Sequence, residues 1–249
     1  MNIHFLGTGE AADPSRRNTS VLIEMGDRHH LLDCGFSSAQ AYLNRTTAAC
    51  LETIWVSHFH GDHFFGVPQL ILHFYIQKRK LPLTLLAGSS ELKDKVNAAV
   101  ELAYPELSSK LDFPLHFHRV RQDSEMACNG LFWQCAPVNH AQEAYGLRLT
   151  SDSHAMYYSG DGKPTPKCRA LMRGCDLVIH ESFSEVPEDP SHFSLEECLE
   201  LAKNSTIEQL ALVHLNRQTR QSVESKRDFL NEPGSTRIVI PKDGDELQL

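Results

Sequence analysis

Apolar positions along this chain gather in short runs separated by glycine, proline and polar clusters, the punctuation expected of β-strands. Such runs cover Ile3 to Leu6, Thr19 to Met25, His29 to Asp33, Thr53 to Val56 and Leu83 to Ala87. A second series covers Leu131 to Val138, Ala144 to Thr150, Ala155 to Ser159, Asp176 to His180 and Leu210 to Val213, with short final strands at Arg237 to Ile240 and Glu246 to Leu249. The strands at 19–25 and 29–33 meet around Gly26-Asp27 as a hairpin. Helical spacing appears between strands. Phe65 to Lys80 carries its apolar stripe at Val67, Leu70, Ile71, Phe74 and Tyr75 and ends in Lys78-Arg79-Lys80, a basic cluster read as a solvated helix end. Ser89 or Ser90 is expected to cap a helix running to about Ala103, and Pro166 to Gly174 is a short helix. Ser194 with Glu197 forms a capping box for a helix to about Lys203, and Gln218 to Phe229 is another. The pattern predicts an α/β chain of two β-rich halves.

With 249 residues, 41% of them hydrophobic and 22% charged, the composition is that of one ordinary globular domain spanning 1–249. No apolar run reaches the length of a membrane span, and the first residues enter a strand directly, so a cytoplasmic protein without a signal segment is expected. Seven cysteines, an odd number without a C-x-x-C pair, point to free and mostly buried thiols rather than disulfides or a separate structural zinc. A formal charge of -8 argues against a broad basic face for long nucleic acid, though not against local positive patches.

One stretch does not fit packing. His58-Phe59-His60-Gly61-Asp62-His63 places four ligand-type side chains in six residues directly after the strand at 53–56. On near-extended backbone, side chains two apart point the same way, so His58 and His60 can grip one cation. Beyond Gly61, a residue able to take dihedrals that others avoid, Asp62 and His63 face a different point, and two cations side by side follow. Imidazole and carboxylate without thiolate suit zinc, with manganese or iron left open. Further ligands are needed. His140, Asp161 and His214 each close a β-like run. His116 and His118, two apart without another ligand nearby, are read as exposed strand positions, and His180 as a residue to leave out of the site.

The order H-x-H-x-D-H, then His, then Gly-Asp, then His resembles the metallo-β-lactamase superfamily. That resemblance implies a four-layer αβ/βα sandwich with the metals on loops at one edge of the two sheets. It also implies that His58, His60 and His140 hold one metal, that Asp62, His63 and His214 hold the other, and that Asp161 bridges both. Two divalent ions against Asp62, Asp161 and a bridging hydroxide would leave a net charge near +1, which favours an anionic substrate. The opening, Phe5-Leu6-Gly7-Thr8-Gly9-Glu10-Ala11 through Arg17-Asn18-Thr19-Ser20 to Leu31-Leu32-Asp33-Cys34-Gly35, looks like the ribonuclease Z branch. Asp33 falls where the superfamily keeps a carboxylate that orients a metal-bound histidine.

His180-Glu181-Ser182-Phe183 is similar to the branch's His-Glu-Ala-Thr segment, and His192-Phe193-Ser194 to its His-Ser-Thr segment. By resemblance Glu181 orients His192, and His192 protonates the departing oxygen. Departures fall where substrate is chosen. The arm with which ribonuclease Z grips tRNA would lie between His140 and Asp161, where only 20 residues stand. Cys34-Gly35-Phe36-Ser37-Ser38 replaces Cys-Gly-Glu-Gly-Thr, and the Pro14 to Asn18 loop is one residue shorter than its counterpart. The expected function is a two-metal phosphodiesterase in which a metal-bridging hydroxide attacks a phosphodiester (a small diester, a cyclic nucleotide or an RNA 3′ end), with Asp62, His192 and Glu181 as catalytic residues. A carboxylic ester, thioester or lactone hydrolase on the same centre is the alternative enzyme, and a metal-binding partner module without catalysis is the alternative from another class. Relatives make a homodimer the expected assembly.

Overall fold

The computed structural model describes residues 1–45, 50–225 and 236–249. The first sheet is built from β1 (Asn2–Gly7), β2 (Ser20–Met25), β3 (Arg28–Leu32), β4 (Leu51–Val56), β5 (Leu83–Ala87) and β6 (Leu115–Arg119). Its helices are α1 (Ser38–Arg45), α2 (Gly61–Phe64), α3 (Val67–Ile76), α4 (Leu92–Ala103) and α5 (Leu107–Lys110). The second sheet is built from β7 (Met126–Cys128), β8 (Leu131–Asn139), β9 (Tyr145–Thr150), β10 (Ala155–Tyr158), β11 (Lys163–Pro164), β12 (Leu177–Glu181), β13 (Gln209–Val213) and β14 (Arg237–Val239). Its helices are α6 (Pro166–Met172), α7 (Leu195–Lys203) and α8 (Arg217–Ser225). The chain then returns to the first sheet, where β15 (Glu246–Gln248) pairs antiparallel with β1.

The strand orders are β15-β1-β2-β3-β4-β5-β6 and β11-β8-β9-β10-β12-β13-β14, with β7 on β8. Hairpins open each sheet, and parallel strands with helical crossovers complete it. Side-chain alternation sorts the core into three bands. Trp55, Leu86, Trp133, Leu147, Ile179, Ala211 and Val213 pack between the sheets. Ile54, Val56 and Leu85 turn outward beneath Tyr42, Leu70, Ile71, Phe74 and Val96, while Val178, Leu210 and Leu212 turn outward beneath Cys168, Met172, Cys198 and Leu201. Because both faces of each sheet are covered, the central strands read as nearly continuous apolar runs. The result is the expected four-layer αβ/βα sandwich.

Several expectations change in detail. Neither Ser89 nor Ser90 caps α4: its N-cap is Glu91 without a side-chain bond, and the Ser89 hydroxyl accepts from Glu91 N while donating to Glu143. The helix predicted from Phe65 to Lys80 stops at Ile76, and Arg79 is not a solvated end. Arg79 is buried, donating Nε to the Leu81 carbonyl and Nη2 to those of Leu51 and Pro82, with its guanidinium 4.8 Å from the Phe74 ring centroid. The carbonyls of Leu81 and Pro82 just past the turn and of Leu51 at the start of β4 draw the charge inward, while Lys78 and Lys80 stay exposed. The end of the helix predicted to reach Phe229 lies outside the described residues. His116 and His118 are exposed on β6, as expected, and His180, left out of the site, is fully buried against Phe193. Five of the seven cysteines are buried and all are free.

Candidate metal centre

The side chains singled out from sequence follow the C-terminal ends of strands, along one edge of the sandwich, the usual site position in sheets with parallel strands. Asp33 follows β3, His58 to His63 follow β4, His140 follows β8, Asp161 follows β10, Glu181 ends β12 and His214 follows β13. After Val56 the backbone runs extended to His60 (φ -65°, ψ 149°) and then turns into α2, so His58 and His60 converge while Asp62 and His63 are carried round by a helical turn. Gly61 does not adopt the unusual dihedrals expected of it. It stands in the helix because a Cβ there would lie 2.3 Å from the Phe36 ring. Asp161 is held by Gly162, whose φ of +124° and contact with Asn139 O (2.9 Å from an added Cβ) exclude other residues.

His58, His60, His140 and Asp161 form one group of converging ligand atoms, and Asp62, His63, Asp161 and His214 form a second, with Asp161 common to both. In the first, His58 Nε2 is 3.1 Å and His140 Nε2 3.3 Å from His60 Nδ1. In the second, His63 Nε2 is 3.2 Å from Asp62 Oδ2 and 3.3 Å from Asp161 Oδ1, and His214 Nε2 is 3.4 Å from Asp62 Oδ2 and 3.3 Å from Asp161 Oδ2. A tetrahedral ion with nitrogen bonds of about 2.0–2.1 Å requires its ligands to stand roughly 3.3–3.4 Å apart, so these residues fit a divalent metal pair.

Hydrogen bonds outside the groups fix which nitrogens face inward. Asp33 is buried and its Oδ2 accepts from His63 Nδ1 (2.7 Å), Ser57 Oγ (2.7 Å) and Tyr158 OH (2.8 Å), while Oδ1 accepts from Ser57 N (2.7 Å). Ser57 Oγ is then free to accept from His58 Nδ1 at 3.0 Å. One carboxylate therefore sets the tautomer of a histidine in each group. His140 Nδ1 donates to Ser191 O at 2.9 Å. With the protons on these outer nitrogens, the inward nitrogens of His58 and His140 present lone pairs towards one point, as a cation requires. His63 Nε2 and Asp161 Oδ1 are buried without a hydrogen-bond partner, which suits atoms that bind a metal.

Electrostatics agree. Burial, then the charge of His63, hold His58 well below the usual histidine range and so in its neutral, ligating form. Burial would raise Asp62 and Asp161, but hydrogen bonds from His214 and His63 hold the first below the usual carboxylate range, and their charges do the same for the second. Burial would lower His63 and His214, yet the surrounding carboxylates together outweigh it and raise both, Asp161 with Asp33 for His63 and Asp161 with Asp62 for His214. In the absence of metal the carboxylates draw protons to these two histidines, and metal binding displaces them.

Beside the two groups, His192 Nδ1 meets Glu181 Oε2 at 2.9 Å, and the His192 ring stands 5.0 Å from His140 and 5.8 Å from His214. Glu181 is fully buried and also accepts from the backbone N–H groups of Gly162 and Phe193. Burial works against the charge on His192, but Glu181 overrides it through hydrogen bond and charge and lifts the imidazole to about 9. Burial raises Glu181 in turn. Residue by residue, the structure brings together all nine sequence candidates. Tyr158, Ser57 and Ser191 went unread, and Phe183 was read only as part of the segment that holds Glu181. Ser57 adjoins the motif and could have been suspected, whereas Tyr158 sits inside an apolar strand and gives no signal.

Comparison with known proteins gives a consistent picture. A family model described as Anti-Pycsar protein Apyc1 matches residues 1–232. A ribonuclease Z from Shouchella clausii is 25% identical, covering 92% of this chain and 91% of the relative. The metallo-β-lactamase fold protein YhfI from Bacillus subtilis superposes with a TM-score of 0.82 at 18% identity, covering 99% of this chain and 98% of that one. Human tRNase Z, short form, superposes at 0.81 with 21% identity, covering 100% and 99%. The fold is the metallo-β-lactamase fold, in its ribonuclease Z-like branch.

Proposed function

The chain belongs to the family described as Anti-Pycsar protein Apyc1, and from that membership and the site geometry we propose that it is a metal-dependent phosphodiesterase. His58, His60 and His140 would hold one divalent ion and Asp62, His63 and His214 a second, with Asp161 common to both sets. Zinc is the first choice for this donor set, with manganese or iron as substitutes. When bound, the pair supplies an activated water as nucleophile and positive charge for the phosphoryl oxygens.

The observation that carries the reading is the Glu181–His192 pair next to the metal groups. A hydrolase whose leaving group departs unaided has no use for an imidazole held protonated by a buried carboxylate. With Nδ1 tied to Glu181, His192 offers its Nε2 proton to the departing oxygen, the service an alkoxide or ribose hydroxyl requires. Asp62, counted both as catalytic and as a ligand, stands between His63 and His214 with Oδ2 3.2 and 3.4 Å from their Nε2 atoms.

The names of the relatives support an RNA-type phosphodiester substrate. Between His140 and Asp161 stand only β9, β10 and their short connections, so nothing there reaches out to grip a folded RNA. Small diesters, cyclic nucleotides or RNA 3′ ends suit this site better. We read residues 1–249 as one domain because the two sheets share a core, and take the protein to be a cytoplasmic homodimer. Among the described residues no helix is long and apolar enough to cross a membrane.

The test is His192→Ala on metal-quantified protein. Turnover of an alkyl or nucleotide diester should fall roughly 10²–10⁴-fold while a nitrophenyl diester, whose leaving group needs no proton, suffers much less. Glu181→Gln should repeat the pattern more mildly. Equal losses on both substrates with metal retained would reject the general-acid role. Preferential turnover of carboxylic esters, thioesters or lactones over phosphodiesters would reject the phosphodiesterase reading.

A further inference from the structure

The hydrogen bond from His192 Nδ1 to Glu181 fixes where that nitrogen points, but it leaves the ring free to tilt about the bond. What lies against the faces decides the tilt. The Phe183 ring stacks on His192 with centroids 4.7 Å apart and planes 28° from parallel. Phe183 is itself held at both ends of its peptide unit, its N–H donating to Phe193 O and its carbonyl accepting from Asn216 N, each at 2.9 Å. The other rings near His192 are those of His214, nearly parallel at 13°, and His140, edge-on at 77°. Both are ligand candidates and share the positive charge of whatever they bind. Phe183 alone among these rings is not a ligand candidate, and its face packs flat on the imidazole and so limits its tilt.

We propose that Phe183 is a positioning residue for the reaction: its ring fixes the plane of His192 so that Nε2 meets the leaving oxygen. This rests on the general-acid reading of His192 given above. Phe183 belongs to neither ligand group and its side chain is only half-buried, but its ring also lies 6.1 Å from that of His214, so the metal content of each variant separates an effect through His192 from one through His214.

The experiment compares wild type, Phe183→Leu, Phe183→Tyr, His192→Ala and the Phe183→Leu/His192→Ala double variant, each metal-quantified, on an alkyl and a nitrophenyl phosphodiester. Leucine keeps apolar volume without a ring face. It should lower kcat for the alkyl diester about 2- to 12-fold, the worth of an aromatic pair, and affect the nitrophenyl diester much less. Tyrosine should restore the wild-type value. In the His192→Ala background the leucine change should cost nothing further, because a residue acting through His192 has nothing left to act on. Equal loss on both substrates, or a loss that persists undiminished without His192, would overturn the inference while leaving the general acid standing. If His192→Ala alone treats the two leaving groups alike, the general-acid reading fails and this inference falls with it. Should Phe183→Leu lose metal or fold poorly, Phe183→Met fills the same space with a flexible chain and is read by the same criteria.

Discussion

Asp33→Asn isolates one carboxylate that never touches a metal. Asp33 is fully buried in left-handed backbone (φ +58°), a conformation asparagine tolerates, so the fold should survive the change. The chemistry should not. Four donors converge on the carboxylate: Ser57 N on Oδ1, and His63 Nδ1, Ser57 Oγ and Tyr158 OH on Oδ2. An amide accepts through its oxygen only, and its NH₂ must face one side. Turned to Ser57 N it opposes a backbone donor that cannot adjust. Turned to the other side it meets two hydroxyls that can rotate and one imidazole that can change tautomer. The second arrangement costs less, and it moves the His63 proton to Nε2, the atom aimed at Asp62 and Asp161. Metal affinity at the Asp62, His63 and His214 position should then fall 10- to 100-fold, the usual cost of losing an outer partner, or about 1.4–2.7 kcal/mol. Competition with a chromophoric chelator measures it, using His60→Ala as background to isolate this position. An affinity within threefold of the Asp33 protein would refute the reasoning, since His63 would then keep its tautomer without the carboxylate.

Asp161→Ala should lower total metal content more than any single histidine change, because Asp161 alone belongs to both groups; elemental analysis of metal-supplemented protein checks this, and stoichiometry fixed at one in the parent would count against the pair. Arg79→Met should destabilise the protein by about 2–4 kcal/mol in urea unfolding, since three carbonyls lose a charged donor, whereas Lys78→Ala and Lys80→Ala should stay within about 0.5 kcal/mol. Small phosphodiesters and cyclic nucleotides should be turned over more efficiently than folded pre-tRNA; accurate cleavage at a 3′ trailer with higher kcat/KM than any small diester would contradict the argument from the missing arm.

The ligand motif was legible because metal chemistry demands rare residue types at close spacing, and His58 to His63 could hardly be explained otherwise. Strands were legible for a different reason. Covering each sheet on both faces forces long apolar runs, and these stand out between glycines and prolines whatever the topology. The boundaries of helices were less so: α2 is a single turn of four residues, and α1 buries only Ser38, Ala39 and Tyr42, two of them too small to mark an apolar stripe. Arg79 was misread because a basic residue after a helix is normally solvated, and nothing local reveals that Leu51, Leu81 and Pro82 have carbonyls to spare.

By itself the sequence determined the two β-rich halves and the ligand types and, through resemblance, the layer pattern and the grouping of the ligands. Tertiary structure decided the rest. Only there does Tyr158 reach 125 positions back to Asp33, does Ser191 receive the proton of His140, and does Phe183 come to lie on His192. Ligands betray themselves because a metal accepts few atom types. The groups that aim them use ordinary hydroxyls, carbonyls and rings, which any sequence has in plenty, and only their position in space gives them a task.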